Sequence, residues 1–324
     1  MSVSSEKLTT FYNLDILPTL NALEEQRKEV LRRQWATAIS IFLCWGFIGY
    51  GLAVSTTVEV VHIVGASAFV FLFYIYVDSQ IKQEFVARYK ASVITPLIHQ
   101  IDPNLVYEKD RHIPEQTFAD ANLFFDWTRY FGDDYVSGKI HGVSVEFSEL
   151  NVVRSTKHVE KEIFTGIFFV CEFNKNLEHD VQVCTKEMKF PLTNLVELFT
   201  DATGRLENKA FMNYFKVYGS DEITTRYVLT FSMMEKLVKL KKKMHVPLYV
   251  SFRGSKFYLA LDYNDRRLFE PNTATSLRSD TDVHFYADIL TGVYEIIEDL
   301  GLNEYLWDKK PSASAQTPHD ITLT

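Results

Sequence analysis

The chain has 324 residues, of which 47% are hydrophobic, and a formal net charge of −8 at pH 7. This length accommodates a membrane segment and one domain of ordinary size. Residues 102–308 carry most of the acidic excess, with 33 Asp and Glu against 24 Lys and Arg. Binding to nucleic acid requires an excess of basic residues near the phosphates. The composition therefore excludes nucleic acid as a general partner.

The first predicted segment, residues 1–35, is a cytosolic amphipathic helix. Its apolar residues recur every three or four positions, which is the period of one helix face. The stripe consists of Ile16, Leu20, Leu23 and either Val30 or Leu31, with Arg27 at the same spacing.

Two uncharged apolar runs follow, at residues 36–54 and 60–77. Each has about the length of a helix that crosses the hydrocarbon core of a bilayer. The turn between them lacks Lys and Arg, whereas basic residues flank both outer ends. By the positive-inside rule, residues 36–77 are expected to form a two-span transmembrane hairpin of the cell inner membrane, with both termini cytoplasmic. A signal peptide and a buried hairpin explain the two runs less well.

Residues 78–101 are predicted to form an amphipathic stalk helix. Apolar residues step by four along it, at Ile81, Phe85, Tyr89, Val93, Leu97 and Ile101. This stripe and that of the first helix can bury each other.

Residues 102–308 are predicted to form a mixed, mostly antiparallel α+β cytosolic domain. Alternating residues at 143–147 indicate a strand that pairs with 135–140, and the apolar run 163–173 indicates a central strand with a bulge at Gly166. Residues 180–184 predict a further short strand.

The second part of this domain is predicted to mix helices and strands. A short helix at 207–215 precedes a strand at 216–218 and a long helix at 221–244. Residues 248–252 and 256–262 then form a hairpin. Ser279 is expected to cap a final helix that ends near Gly301. The tail, residues 309–324, has the composition of a disordered segment.

A run of lysines is the main candidate binding site. It lies at the end of the predicted helix 221–244, where positive charge complements the helix dipole. The alternative is contact with an acidic partner or anionic lipid. The residues are Lys236, Lys239, Lys241, Lys242 and Lys243.

No catalytic, cofactor-binding or metal-binding residue is predicted. Carboxylates near predicted strand ends (Asp126, Asp133, Asp134, Asp262 and Asp265) are of a type common in turns. The spacing of His112, His141, His158 and His179 matches no metal motif, and no phosphate-binding or nucleophile motif occurs. Cys44, Cys171 and Cys184 are interpreted as buried free thiols.

Five short stretches carry a family resemblance: LEEQRK at 23–28, FSEL at 147–150, IFTGIF at 163–168, FNK at 173–175 and FKVY at 215–218. They resemble the DUF3137 family, bacterial membrane proteins of unknown function. The resemblance extends from Phe11 to about Gly301 and implies a membrane-anchored organisation. It implies no activity and no catalytic residues.

We therefore expect a membrane-anchored scaffold or protein-interaction module without enzymatic activity. Its expected partners are the lipid bilayer and another protein, and it could form a homo-oligomer. The alternative is a tethered enzyme or ligand sensor, which requires a deep apolar cleft lined by convergent polar groups.

Overall fold

The computed structural model describes residues 10–54, 60–140, 142–157, 159–187, 200–201, 206, 208–264, 268–271, 276–277 and 291–292. The chain divides into two compact units. The first comprises Met1–Arg111 and Asp265–Thr291, and the second comprises His112–Asn264 and Gly292–Thr324.

The first unit is mainly helical. A π-helical turn, Tyr12–Ile16, leads into helix α1, Leu17–Val54, which packs on helix α2, Val60–Tyr89. A second π-helical turn, Lys90–Ile94, leads into α3, Thr95–Ile101, and the short strand β1, Val106–Glu108, follows.

The two predicted amphipathic stripes are buried in this unit. The buried residues of both stripes are at most 9% exposed, and their spacing of three or four positions confirms the predicted helical period. On the N-terminal stripe these are Ile16, Leu20, Leu23, Arg27 and Val30; on the second they are Phe85, Tyr89, Val93 and Leu97.

The predicted two-span transmembrane hairpin is wrong. In the part of the chain that the structure describes, no helix combines the length and apolar character needed to cross a bilayer. The runs 36–54 and 60–77 are parts of the longer helices α1 and α2, which elsewhere carry ion pairs such as Glu25–Lys28 and Asp78–Lys82. The inner-membrane location and the cytoplasmic termini were deduced from this hairpin and are corrected with it.

The second unit contains a mainly antiparallel sheet, as the α+β prediction requires. Its strands are β2 Arg129–Ile140, β3 Val143–Ser155, β4 Glu160–Thr185, β5 Thr200–Asp201, β6 Phe215–Gly219 and β7 Leu248–Asp262. Strand β4 pairs with β3, β6 and β7, whereas β2 pairs with β3 and β5 with β6. The sheet is therefore built around β4.

The predicted hairpin between β2 and β3 is confirmed, with Ile140 opposite Val143. The predicted bulge in β4 occurs, but at a different residue. Pairing shifts between Phe164 and Glu162, so the extra residue is Ile163 and not Gly166. Gly166 has another role, because a Cβ atom there would lie 1.9 Å from the carbonyl oxygen of Leu261 on β7. Only glycine allows the two backbones to approach so closely.

Two predicted breaks between strands are wrong. Residues 163–173 and 180–184 both belong to β4, and residues 248–252 and 256–262 both belong to β7. Gly254 has a positive φ of 55°, which suits a turn, yet it remains paired opposite Leu177. The two strands become irregular together, with register shifts on both sides of Leu177, and so continue through the predicted turn.

The second unit has four described helices of at least six residues: α4 Glu115–Asp120, α5 Lys209–Tyr214, α6 Glu222–Val228 and α7 Phe231–Met244. The single helix predicted at 221–244 is thus two helices. Leu229 leaves the helical region at ψ 66°, and the side chain of Thr230 accepts a hydrogen bond from the backbone N–H of Met233. This N-cap starts a new helix.

Aromatic side chains form the core under the sheet. The ring of Phe118 on α4 lies 4.9 Å from that of Phe168 and 5.3 Å from that of Phe124. Tyr130 of β2 donates a hydrogen bond to the carbonyl of Ile113 at 2.7 Å, which fixes the segment before α4. Burial raises the pKa of Tyr130, so the hydroxyl stays protonated and remains a donor.

The predicted cap at Ser279, most of the final helix and the tail 309–324 lie outside the described residues.

Candidate functional site

Helix α7 presents two different faces. Met233, Met234, Leu237, Val238 and Met244 are buried, and this face attaches the helix to the domain. Lysines concentrate near its C-terminal end. His245 ends the helix in the left-handed conformation, and the positive charges complement the negative end of the helix dipole.

A groove of about 700 Å³ lies along α7 beside α5, and we call it the lysine groove. Phe231, which is 64% exposed, contributes apolar surface together with Val238 and Ala210. The polar lining residues are Asn208, Glu235, Lys239, Lys242 and Lys243. The groove therefore offers an apolar floor with three cationic side chains at its edge.

The structure separates the five predicted lysines. Lys239, Lys242 and Lys243 are exposed and line the lysine groove, and Lys242 Nζ lies 5.9 Å from the centre of the Tyr214 ring. Lys236 is half-buried and is not a lining residue.

Lys241 has a structural role in α7. Its side chain is 7% exposed, and Nζ lies 2.7 Å from Glu187 Oε2. Nζ also donates a hydrogen bond to the carbonyl of Val246 at 3.1 Å. Lys241 thus connects the end of α7 to Glu187 and Val246, and its side chain is not available to a ligand in the groove.

A group of carboxylates brings together two residues noted in the sequence and one that was missed. Asp133, Asp134 and Glu149 can place one oxygen each within 4.8 Å of the others. The pairing of β2 with β3 explains this. Val136 lies opposite Phe147, so two residues earlier on β2 the same register places Asp134 beside Glu149. The bulge then sets Asp133 opposite Glu149 as well. Oxygen ligands at this spacing suit a hard cation, but each residue also interacts with another group of the protein.

Two of the remaining noted carboxylates have other partners. Asp126 pairs with Arg154 at 3.6 Å, and buried Asp262 accepts a hydrogen bond from the backbone N–H of Asn264. Asp265 lies outside the described residues.

The two noted histidines that the structure describes have different neighbours. The ring of His112 lies 5.6 Å from that of Tyr130, and His179 Nδ1 lies 3.4 Å from Ser220 Oγ. Both members of the second pair are exposed. Burial raises the pKa of the adjacent Asp180, and the nearby Arg253 and His179 oppose this effect. His141 and His158 lie outside the described residues.

The cysteines differ in exposure. Cys171 and Cys184 are buried, as predicted, but Cys44 is exposed. Burial raises the pKa of the Cys171 thiol, which leaves it protonated and unreactive.

Comparison with known families identifies the second half of the chain. Residues 162–302 match a family described as "Protein of unknown function (DUF3137)". This match covers 141 of the 324 residues and supports membership of the DUF3137 family. The match begins in β4 of the sheet and includes the lysine groove. The family description assigns no activity to these residues.

One solved structure is similar, the "crystal structure of the mycobacterial trehalose monomycolate transport factor A, TtfA". It is 14% identical over 58% of this chain and 88% of that chain, with a TM-score of 0.29. A likeness at this score supports no argument about function. No curated protein matches the chain.

Proposed function

We propose that the chain is a protein-interaction module without enzymatic activity, and that the lysine groove binds an acidic segment of another protein. The observation that carries the proposal is the combination of exposed Lys239, Lys242 and Lys243 with the exposed ring of Phe231. Apolar contact supplies affinity in such a groove, and charge sets orientation and selects the partner.

The charge distribution favours an acidic partner. The whole chain carries −8, so an acidic protein is repelled from most of the surface. At the groove three cations lie within five residues of one helix, and one of the lining residues, Glu235, is acidic. An acidic segment is therefore directed to this surface.

The spacing of the lysines suits a helical partner with alternating apolar and acidic positions. Lys239, Lys242 and Lys243 are related by i, i+3 and i+4, so they lie on one face of α7. A partner helix that places apolar side chains against Phe231 and Val238 can place carboxylates against this row.

The test uses the full-length protein and a fluorescent synthetic peptide of leucine and glutamate designed as an amphipathic helix. We expect saturable binding by fluorescence anisotropy, and weaker binding at higher salt. The triple variant Lys239→Gln, Lys242→Gln, Lys243→Gln should bind about tenfold more weakly, because each exposed ion pair contributes roughly 0.5 kcal/mol.

A matched control removes three positive charges elsewhere. Lys109, Lys157 and Lys161 are exposed and do not line the groove, so their replacement by Gln should leave the affinity within twofold. Equal losses in both triple variants would contradict the proposal, as would equal binding of a peptide with Gln in place of Glu. Lysine-dependent binding to phosphatidylserine vesicles without peptide binding would assign the groove to lipid instead.

A second measurement addresses the natural partner. A photo-crosslinking amino acid at Ala210 in intact cells should yield a defined product that the groove triple variant loses and the control triple variant keeps. A product that persists in the groove variant would show that its formation does not depend on the lysines.

A further inference from the structure

A narrow slot lies between α1 and α2 in the first unit. It has a volume of about 210 Å³ and an almost entirely apolar wall. We call it the interhelical slot; its lining includes Gln34, Thr37, Ser40, Ile41, Val70 and Phe73. Typical sites for drug-sized ligands have about 300–1,000 Å³, so the slot suits a single chain better than a ring system.

Two hydroxyl groups in the lining are directed to their own helix. Thr37 Oγ1 donates to the carbonyl of Arg33 at 2.7 Å, and Ser40 Oγ donates to that of Ala36 at 2.8 Å. This pattern is common for Ser and Thr inside helices. The two residues therefore add little polarity to the slot.

Gln34 differs from these residues. Its Nε2 atom is buried and has no hydrogen-bond partner. A buried donor without an acceptor is costly and calls for an explanation. A water molecule is retained in such a place only if it finds two to four polar partners, and the wall of the slot is apolar. A mostly apolar ligand with one hydrogen-bond acceptor fits the apolar wall and also pairs with the Gln34 donor.

The charged lining residues balance each other. Arg33 Nε is bound to Glu29 Oε1 at 3.0 Å, and Asp78 pairs with Lys82 at 2.7 Å. These two ion pairs are neutral overall, so they do not require a particular charge on the polar end of a ligand. The oxygen that meets Gln34 can be that of an ester or of a carboxylate.

We propose that the interhelical slot binds one acyl chain, whose carbonyl oxygen accepts a hydrogen bond from Gln34 Nε2. The chain lies along Ile41, Val70 and Phe73. A free fatty acid and a monoacylglycerol share this chemistry, so the binding experiment includes both.

The test measures binding of dodecanoate and of monododecanoylglycerol to the full-length protein by isothermal titration calorimetry, below the concentration at which either aggregates. We expect saturable binding of at least one with a 1:1 ratio. Gln34→Leu should raise the Kd about fivefold by removing one hydrogen bond. Thr37→Val should change it less than twofold, since that hydroxyl faces its own helix.

Filling the slot separates this site from general adsorption to apolar surface. Val70→Trp should abolish saturable binding, whereas Ile39→Trp, on an exposed position of α1 outside the lining, should not. Circular dichroism verifies that both variants fold. Equal loss in both variants, or no saturable binding of either ligand by the unmodified protein, would overturn the proposal.

Discussion

Glu24 is the acidic residue whose environment most clearly stabilises its charge. It is 3% exposed and accepts two hydrogen bonds from Arg27, at 2.8 and 2.7 Å. It also accepts one from the backbone N–H of Leu277, 253 residues further along the chain. The hydrogen bonds from Arg27 lower the pKa of Glu24 from 4.5 to about 2, although burial opposes the effect. This one side chain thus joins α1 to a distant part of the first unit.

Glu24→Gln should destabilise the protein by roughly 1.5–3 kcal/mol, the usual contribution of hydrogen bonds to a charged group. Because the folded-state pKa is lowered, the stabilisation by Glu24 is complete above about pH 4.5 and is lost as the pH falls towards 2. Urea unfolding followed by circular dichroism at pH 7 and pH 3 should show the variant's deficit shrinking at the lower pH.

The neighbouring pair Glu25–Lys28 provides the control, since both side chains are more than half exposed. Glu25→Gln should change the free energy of unfolding by less than about 0.5 kcal/mol at either pH. An equal deficit for Glu24→Gln at pH 7 and pH 3 would show that its charge is not what stabilises the unit.

At the level of elements, helix α7 shows what the sequence can and cannot predict. The apolar period of the helix and its lysines could be read from the sequence. The break between the two helices at Leu229 and Thr230 could not be predicted. A threonine in a helical pattern acts as an N-cap only where the backbone before it leaves the helical conformation. The groove was also missed, since it needs Ala210 of α5 and the N-cap residue Asn208 beside Phe231. The continuity of strand β7 was not predicted either, because Arg253-Gly254-Ser255 has the composition of a turn.

Within α7, replacement of adjacent lysines should have unequal effects on stability. Lys241→Ala removes two partly buried hydrogen bonds and leaves the Val246 carbonyl without this donor, so we expect a loss of about 1–3 kcal/mol. Lys242→Ala and Lys243→Ala should each cost less than about 0.5 kcal/mol, because both residues are exposed. Thermal unfolding of the three variants tests this, and a similar loss in all three would contradict the role assigned to Lys241.

At the level of the whole molecule, the three cysteines report on the folded state. Cys44 is exposed, whereas Cys171 and Cys184 are buried on β4. We expect one thiol to react rapidly with Ellman's reagent in the native protein and two more after denaturation with guanidinium chloride. The variant Cys44→Ser should show no rapid reaction. Rapid reaction of two or more thiols in the native protein would mean that β4 is accessible.

The long central strand also has a consequence during synthesis. Strand β4 leaves the ribosome complete at Thr185, but its neighbour β7 does not end until Asp262. Until then one side of β4 exposes unsatisfied amides and carbonyls together with Phe168, Val170 and other apolar side chains. Such an edge can associate with other nascent chains. Release of a chain truncated before Leu248 should therefore produce an aggregating fragment that depends on chaperones, and not a smaller version of the domain.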